Sequence, residues 1–508
     1  MPPPGTPLPQ PGLGRGKPSS AGATPPHPPG LATLFLTEMW ERFSYYGMRA
    51  LLVLFMVDQA RGGLGLDDKT ATAIYGLYTA AVYLTSLPGG WLADRWLGAQ
   101  RAVWYGGMVI ALGHFTLAIP RAETFYPGLV LVAVGSGILK PNMSAMVADL
   151  YPETGARRDA GFTIFYMGVN LGAFLGPLVC STLGEKINWH YGFGAAGVGM
   201  VLGLVQFRLT RGRLGAAGRQ RGNDRPLNAA ERGALLGFAA AAVLLVVGSL
   251  TGVVPLYAVT LAHGLTTVIL GLGALYFAGL FWLGRLTTLE KKRIAVILIL
   301  FLASALFWSG FEQAGSSFTL FAERMTNRRW LTFEIPAGWY QSLGALFIIA
   351  FAPLFSWLWV RLARRNWEPS ITGKFAFGLL LLASGFLVMA GAATVVAAGG
   401  RAAPTWLITT YLLHTFGELC LSPVGLSAVT QLAPRKLVGQ MMGVWFLATS
   451  LGNLLAGLQA GSFGADRVAG WPALYLKIAL PPAIAGLLLL LFARPIKQLM
   501  TGETRGRV

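Results

Sequence analysis

The first long apolar stretch of the sequence, residues 31–57, carries charged and tyrosine side chains that fall on one face of a helix. At about 100° per residue their positions fit within a sector of about 140°, while Leu, Val and Phe occupy the opposite face. These residues are Glu38, Glu41, Arg42, Tyr45, Tyr46 and Arg49. Because an ionisable side chain in mid-membrane costs at least about a few kcal/mol, the stripe predicts a pathway for a solute or ion. Two carboxylates beside two guanidiniums predict a proton site next to an anion site. A lipid-facing helix end with snorkelling charges is the alternative, but the charges span three turns and have apolar sequence on both sides.

Three later apolar stretches also contain single ionisable residues. Lys140 precedes Pro141, and the carboxylates of Glu312 and Glu418 lie in two further stretches. With the first stripe they make three cations and four acids. The near balance predicts buried ion pairs, and one surplus acid is available to carry a proton.

The composition excludes a soluble globular protein. Of 508 residues, 54% are hydrophobic and 12% are charged, whereas about a quarter of residues are charged in soluble domains. The net charge of +19 does not indicate nucleic-acid binding, because the basic residues cluster in short loops between apolar stretches. Cys180 and Cys420 both lie inside apolar stretches, so we expect neither a disulfide framework nor a thiolate metal site.

Fourteen apolar stretches are long enough to span a bilayer. They lie near residues 31–57, 70–94, 101–120, 126–151, 160–183, 190–209, 234–254, 261–283, 294–322, 338–361, 373–398, 404–431, 438–462 and 471–493. Basic residues concentrate in the loops after even-numbered stretches, so the positive-inside rule predicts that both termini are cytoplasmic. The first thirty residues are rich in Pro, Gly and Ser without an apolar core, which predicts a disordered tail and no signal peptide.

An arginine-rich stretch, residues 208–232, separates six predicted helices from eight. The two helices that follow it contain almost no polar side chains and are interpreted as an inserted hairpin. Without them, the order of six helices, a basic linker and six helices is the plan of a major facilitator transporter. An unrelated polytopic enzyme or channel with fourteen helices is the alternative. The expected units are a tail (1–30), a first six-helix bundle (31–209), a linker with the hairpin (210–293), a second bundle (294–493) and a C-terminal tail (494–508).

Local motifs favour the transporter. Residues 89–98, Gly-Gly-Trp-Leu-Ala-Asp-Arg-Trp-Leu-Gly, resemble the loop of the major facilitator superfamily in which Asp94 would help to latch one side. Five segments in order resemble the proton-coupled oligopeptide transporter (POT or PTR) family, including bacterial members that share the inserted hairpin. They begin at Glu38 (E-x-x-E-R-F-x-Y-Y-G), Lys140 (K-P-N), Phe165 (F-Y-M-G-V-N-L-G), Phe311 (F-E-Q) and Gly417 (G-E-L-x-L-S-P).

The resemblance implies an all-α polytopic membrane protein with the major facilitator fold, and it implies roles for residues in these motifs. Arg42 and Lys140 would face a peptide carboxylate, and Asn170 and Glu418 its amino terminus. The substrate-binding set expected on this basis is Arg42, Tyr45, Tyr46, Tyr83, Lys140, Asn170, Trp308, Glu418, Ser422 and Trp445. A cavity with cations on one bundle and an acid on the other suits a zwitterionic peptide.

The resemblance also pairs Arg49 with Glu312 and Lys140 with Glu418 across the bundles. Protonation of either acid would weaken its pair and let the bundles separate. Glu38 and Glu41, beside Arg42, are further candidates for protonation. The proton-coupling set is Glu38, Glu41, Arg42, Arg49 and Glu312. The gating set is Asp94 with the four members of the two pairs. His114 and His414 lie outside the motifs and are interpreted as packing residues.

One departure from the family concerns recognition of the amino terminus. Where the family has Gln-Ser-(Ile/Leu)-Asn-Pro, this chain has Gln341-Ser342-Leu343-Gly344-Ala345. The missing amide leaves open a different solute class of organic anions or peptide-like molecules. An enzyme is disfavoured because no metal-ligand spacing or catalytic triad pattern accompanies the buried charges. A channel is disfavoured because a buried lysine facing acids would trap cations. We expect a monomeric, multi-pass protein of the inner membrane whose partners are small peptides, protons and lipid, with no nucleic acid and no cofactor.

Overall fold

The protein is almost entirely helical. The computed structural model describes residues 26–151, 155–219, 228–251, 257–463 and 465–501. The first seven helices are α1 (Gly30–Val57), α2 (Asp68–Leu84), α3 (Ser86–Leu92), α4 (Ala99–Leu117), α5 (Ala122–Leu150), α6 (Ala156–Lys186) and α7 (Trp189–Thr210). Two helices follow the basic linker, α8 (Ala229–Leu250) and α9 (Ala258–Leu283). The remainder are α10 (Thr288–Phe311), α11 (Ser317–Met325), α12 (Ser342–Arg364), α13 (Ile371–Ala397), α14 (Pro404–Leu432), α15 (Val438–Ala460), α16 (Trp471–Leu491) and α17 (Ala493–Thr501).

In the described ranges, each of the fourteen predicted stretches lies mainly in helix. Two stretches are broken: α3 continues α2 after Thr85, and α11 follows α10 after a 3₁₀ turn, Glu312–Gly315. Within the described residues, eleven helical segments are long and apolar enough to cross a membrane. Helix α1 is not among them because of its four charged residues, α2 has only 17 residues before the break, and α4 is the third predicted stretch outside the set. Most of the predicted N-terminal tail lies outside the described residues.

The helices form two bundles. In the first, α1 packs against α6 and α7, and α4 packs against α5 and α7. In the second, α13 packs against α14 and α16, and α10 packs against α15. Contacts between the bundles run mainly through α2 with α15 and α6 with α12. Small residues permit the close approach: a Cβ built on Gly76 of α2 would lie 3.1 Å from the Cα of Gly457 on α15.

The inserted helices contact both bundles. Helix α8 packs against α5, and its Glu231 forms an ion pair of 2.7 Å with Arg95 of the predicted latch loop. Helix α9 packs against α2 and α15. The Tyr276 hydroxyl of α9 donates a hydrogen bond of 2.8 Å to Oε1 of Gln440.

The end of the molecule formed by loop 58–67 and a short β-hairpin is called the strand end. The hairpin pairs β1 (Arg329–Trp330) with β2 (Phe333–Glu334), and Leu331 adopts a φ of 55° in its turn. Although partial burial acts in the opposite direction, hydrogen bonds from the Trp189 indole and the backbone of Arg61 hold the pKa of Asp58 below its ordinary value. The opposite end, where α1 and α4 begin and α7 ends, is called the basic end.

Ion pairs join the bundles at the strand end. Arg324 on α11 contacts Asp68 at the start of α2 through two bonds of 2.7 and 2.8 Å. Glu185 at the end of α6 accepts hydrogen bonds from the backbone N–H groups of Ala337 (2.6 Å) and Gly338 (2.8 Å). This end of the interface is therefore closed by polar contacts.

Candidate functional site

A cavity of about 240 Å³ lies between the two bundles. Helices α1, α2, α5 and α6 form one wall, and α10, α12 and α14 form the other. Its polar and aromatic lining consists of Arg42, Tyr46, Arg49, Tyr83, Lys140, Tyr166, Asn170, Trp308, Phe311, Glu312, Gln341, Tyr411, His414 and Glu418. The cavity therefore brings together residues from all five sequence motifs.

Arg42 is the centre of the charged stripe on α1. Its Nε lies 2.8 Å from Oε1 of Glu38 and 3.2 Å from Oε2 of Glu41. Both glutamates are buried behind it, at 2% and 1% exposure. Among the described residues, Oε2 of Glu38 has no hydrogen-bond partner, and Oε2 of Glu41 has none besides its ion-pair contact with Arg42. Two carboxylates thus share one guanidinium, an arrangement in which one of them can hold a proton without leaving the arginine unpaired.

Arg49 and Glu312 form a buried ion pair between the bundles. Nη2 of Arg49 lies 3.0 Å from Oε2 of Glu312, and both residues are buried. Arg49 lies two helical turns closer to the strand end than Arg42, and Glu312 begins the 3₁₀ turn that ends α10. The rings of Tyr46 and Tyr75 lie 5.4 and 5.8 Å from the Arg49 guanidinium carbon. The predicted contact between Arg49 and Glu312 is therefore present.

The second predicted ion pair, between Lys140 and Glu418, is not formed in this structure. Lys140 Nζ lies 4.1 Å from the centroid of the Tyr83 ring and 5.9 Å from that of Tyr45. Glu418 Oε2 has no hydrogen-bond partner among the described residues. The two side chains belong to opposite walls, α5 and α14, and the cavity lies between those walls. The lysine is stabilised instead by aromatic faces.

Several predicted residues do not line the cavity. Tyr45 lies behind it, with its ring 5.2 Å from Tyr46 and 6.3 Å from Tyr78. Trp445 packs 6.3 Å from Phe375 and against Gly425, whose missing side chain leaves room for the indole. Trp445 is therefore not part of the cavity lining in this conformation, and its contact with substrate stays a prediction.

Two further predicted residues lie toward the basic end. Ser422 is one helical turn beyond Glu418 on α14 and is absent from the cavity lining. Asp94 is exposed in a π-helical turn, Ala93–Leu97, that follows α3. Its place at the end of a helix, remote from the central cavity, is compatible with a latch and not with substrate contact.

Five polar or aromatic lining residues were not predicted as site residues: Tyr166, Phe311, Gln341, Tyr411 and His414. Tyr166 precedes Asn170 by one turn of α6, and this spacing on one helical face could have identified it. Tyr166 is 43% exposed. The side-chain amide of Asn170 donates a hydrogen bond to the backbone carbonyl oxygen of Tyr166. His414 borders the cavity but also contacts the Leu382 carbonyl oxygen at 3.1 Å, which agrees with its interpretation as a packing residue.

Gly344 leaves the wall open at the position of the missing amide. A Cβ built there would find its nearest neighbour, Thr415 Oγ1, at 4.0 Å. The neighbouring Gln341 is not free to replace the amide, because its Nε2 already donates to Thr319 Oγ1 at 2.9 Å.

Comparisons with known proteins point to one family. A family model described as the POT family matches residues 100–466. The peptide transporter YePEPT of Yersinia enterocolitica is 44% identical over 494 residues, which is 95% of this chain and 96% of that protein. A di-/tripeptide transporter of Lactococcus lactis is 36% identical over 494 residues, which is 94% of this chain and 97% of that protein. Among solved structures, a mutant of the peptide transporter POT in complex with alafosfalin superposes with a TM-score of 0.84. It is 42% identical, and the match covers 94% of this chain and 96% of that one.

Proposed function

The chain belongs to the POT family, and within that family we propose that it is a proton-coupled symporter that imports di- and tripeptides by alternating access. It is a multi-pass membrane transporter and not an enzyme. The relatives described as peptide transporters support the substrate class, and the geometry of the cavity supplies a mechanism that fits it.

The observation that carries the proposal is the separation of charge across the cavity. Arg42 and Lys140 line the wall of the first bundle, and Glu418 lines that of the second. A free peptide is a zwitterion, so its carboxylate and its ammonium group would bind opposite walls. Such a substrate draws the two bundles together, whereas a solute with one charge engages one wall only. Tyr46, Tyr83 and Trp308 would accommodate varied side chains, because aromatic faces offer area without demanding fixed hydrogen bonds.

Proton coupling would operate through the acids beside the arginines. Glu41 and Glu38 compete for Arg42, and a peptide carboxylate that binds Arg42 adds a third negative group. Protonation of one glutamate would relieve that repulsion, so proton and peptide would bind together. On the strand-end side, protonation of Glu312 would remove its charge from Arg49 and favour separation of the bundles there.

The closed strand end supports access from the basic end in this conformation. Arginine-rich loops at the basic end favour the cytoplasmic side, so this conformation would be inward-facing and both termini cytoplasmic. The complete cavity lies within one chain, which supports function as a monomer in the inner membrane.

A second candidate is a symporter of another organic anion or peptide-like solute, and Gly344 favours it. Without the amide, the amino group of a peptide would bind Glu418 alone or through water. Compared with a peptide, a solute that lacks an ammonium group would therefore lose less binding free energy in this protein than in relatives that have the asparagine.

Proteoliposomes test the proposal. Under an inward pH gradient, dipeptides and not free amino acids should drive proton entry, because only a molecule of two or more residues reaches both walls. An N-acetylated dipeptide amide of the same side chains is the control. If a dipeptide panel gives neither pH-dependent uptake nor competition while another organic anion does, the second candidate replaces the first.

A further inference from the structure

We infer that a cleft at the basic end, between the start of α4 and the end of α7, binds the phosphodiester headgroup of an anionic phospholipid. The cleft has a volume of about 810 Å³ and is remote from the cavity between the bundles. We call it the arginine cleft.

The walls of the arginine cleft combine guanidinium groups with aromatic rings. The arginines are Arg101 on α4, Arg208 on the last turn of α7, and Arg211 and Arg219 on the segment that follows. All four side chains are exposed, and none forms an ion pair with a carboxylate in the part of the chain that the structure describes. Trp104 and Tyr105 stand beside Arg101 on the same face of α4. Unpaired guanidiniums present forked donors that match phosphate oxygens.

The floor of the cleft is fixed by hydrogen bonds. The backbone N–H of Gln100 donates to the Gly218 carbonyl at 3.0 Å, and its side-chain amide donates to the Ala217 carbonyl at 2.6 Å. Gly218, with a φ of +69°, donates its own N–H to Asp149 at 3.0 Å. The segment after α7 is therefore held against the start of α4 by backbone and side-chain hydrogen bonds.

An apolar surface continues from the cleft toward the middle of the membrane. On α4 the exposed side chains recur every three or four residues, at Tyr105, Met108, Leu112 and Phe115. On α7, which packs against α4, they recur at Val198, Leu202, Val205 and Leu209. A diacyl lipid with its phosphate among the arginines would lay its chains on this surface. A free phosphate would use only the charged part, so the combination favours a lipid.

The alternative is that the arginines at this end do nothing more than orient the chain in the membrane. That role needs positive charge and no particular geometry, so lysine would serve as well. A headgroup site needs the fork of the guanidinium and the aromatic neighbours. The two roles therefore differ in their response to a substitution that retains the charge.

Native mass spectrometry of the purified full-length protein tests the inference, with phosphatidylglycerol as the anionic lipid and phosphatidylcholine as the neutral one. We expect Arg208→Gln with Arg211→Gln to weaken phosphatidylglycerol binding about tenfold or more. Arg208→Lys with Arg211→Lys should still weaken it severalfold. Arg364→Gln with Arg365→Gln, a pair of exposed arginines at the end of α12, is the matched control and should leave binding unchanged.

Thermal stability in phosphatidylcholine shows whether the variants fold. If Arg208→Gln with Arg211→Gln does not fold, the single variant Arg219→Gln replaces it and should weaken phosphatidylglycerol binding about fivefold. Equal losses in the cleft variant and the α12 control would overturn the inference, as would full binding by the lysine variant. Displacement of phosphatidylglycerol by an equal concentration of inorganic phosphate or glycerol phosphate would assign the cleft to a free phosphate. That result would overturn the assignment to a lipid.

Discussion

Arg324 and Asp68 form a two-point ion pair across the bundle interface, with Nη1–Oδ2 at 2.7 Å and Nη2–Oδ1 at 2.8 Å. The pair joins α11 to the first turn of α2 at the strand end. Parallel bonds of this kind restrict orientation as well as distance, so the pair opposes tilting of one bundle against the other.

Arg324→Lys should therefore favour opening of the strand end, because lysine keeps the charge but loses the second bond. The closed state should lose about 1 kcal/mol, a roughly fivefold change in the population ratio. Double electron–electron resonance between labels at Ala60 and Thr332 measures that ratio. Arg329→Lys, on the exposed hairpin, is the control. An unchanged distance distribution in Arg324→Lys would mean that the other strand-end contacts suffice for closure.

Glu41→Gln should abolish accumulation driven by a pH gradient while counterflow exchange is retained. The glutamine cannot bind and release a proton, but Arg42 keeps its shorter contact with Glu38. Uptake of a labelled dipeptide into proteoliposomes, with and without a gradient, measures both activities. Glu368→Gln, on the exposed loop after α12, is the control. Full accumulation in Glu41→Gln would transfer the coupling role to Glu38 or Glu312.

Gly344→Asn should tighten binding of small dipeptides by about 1 kcal/mol, the usual net contribution of one hydrogen bond. The cavity wall has room, since the nearest neighbour of a built Cβ is 4.0 Å away. Binding to the purified protein is measured for free and N-acetylated dipeptides. Gly344→Ala fills part of the space without an amide. Equal gains for free and blocked peptides would mean that volume, and not the hydrogen bond, decides affinity.

The buried pair of Arg49 and Glu312 should give a non-additive mutant cycle. Removal of one partner leaves an uncompensated buried charge, which costs about 3–5 kcal/mol, whereas removal of both leaves none. Arg49→Met with Glu312→Gln should therefore melt at a higher temperature than Arg49→Met alone or Glu312→Gln alone. The pair of Arg61 and Asp58, at 3.5 Å, in which the arginine is exposed and the aspartate is partly buried, is the comparison cycle. Additive losses for Arg49 and Glu312 would show that their contact contributes little.

Asp58→Asn should destabilise the protein at neutral pH and not in strong acid. The pKa of Asp58 is lowered in the folded protein, since hydrogen bonds from Trp189 and the Arg61 backbone outweigh its partial burial. Its contribution is present above the ordinary aspartate pKa and is lost as the pH falls through the lowered value. Melting temperatures of both proteins between pH 7 and pH 3 should converge toward the acid end. A constant difference would exclude titration of Asp58 as the cause.

The sequence predicted the helices well because apolar length and buried charge are local properties. In the described part of the chain all fourteen stretches are mainly helical, and the fold and family are confirmed. Contacts between distant helices were harder to predict. The contact of Arg49 with Glu312 is present, but that of Lys140 with Glu418 depends on how far apart the walls stand in one conformation. The packing of Trp445 depends on the absence of a side chain at Gly425, which no motif describes.

Helix α9 touches α2 in one bundle and α15 in the other. If the bundles rock against each other, this helix must slide along at least one of them in every turnover. It lies at the outer edge of the molecule, so its sliding displaces the acyl chains around it. Friction with the surrounding lipid would then be part of the work of each cycle, and the speed of transport would depend on the viscosity of the membrane.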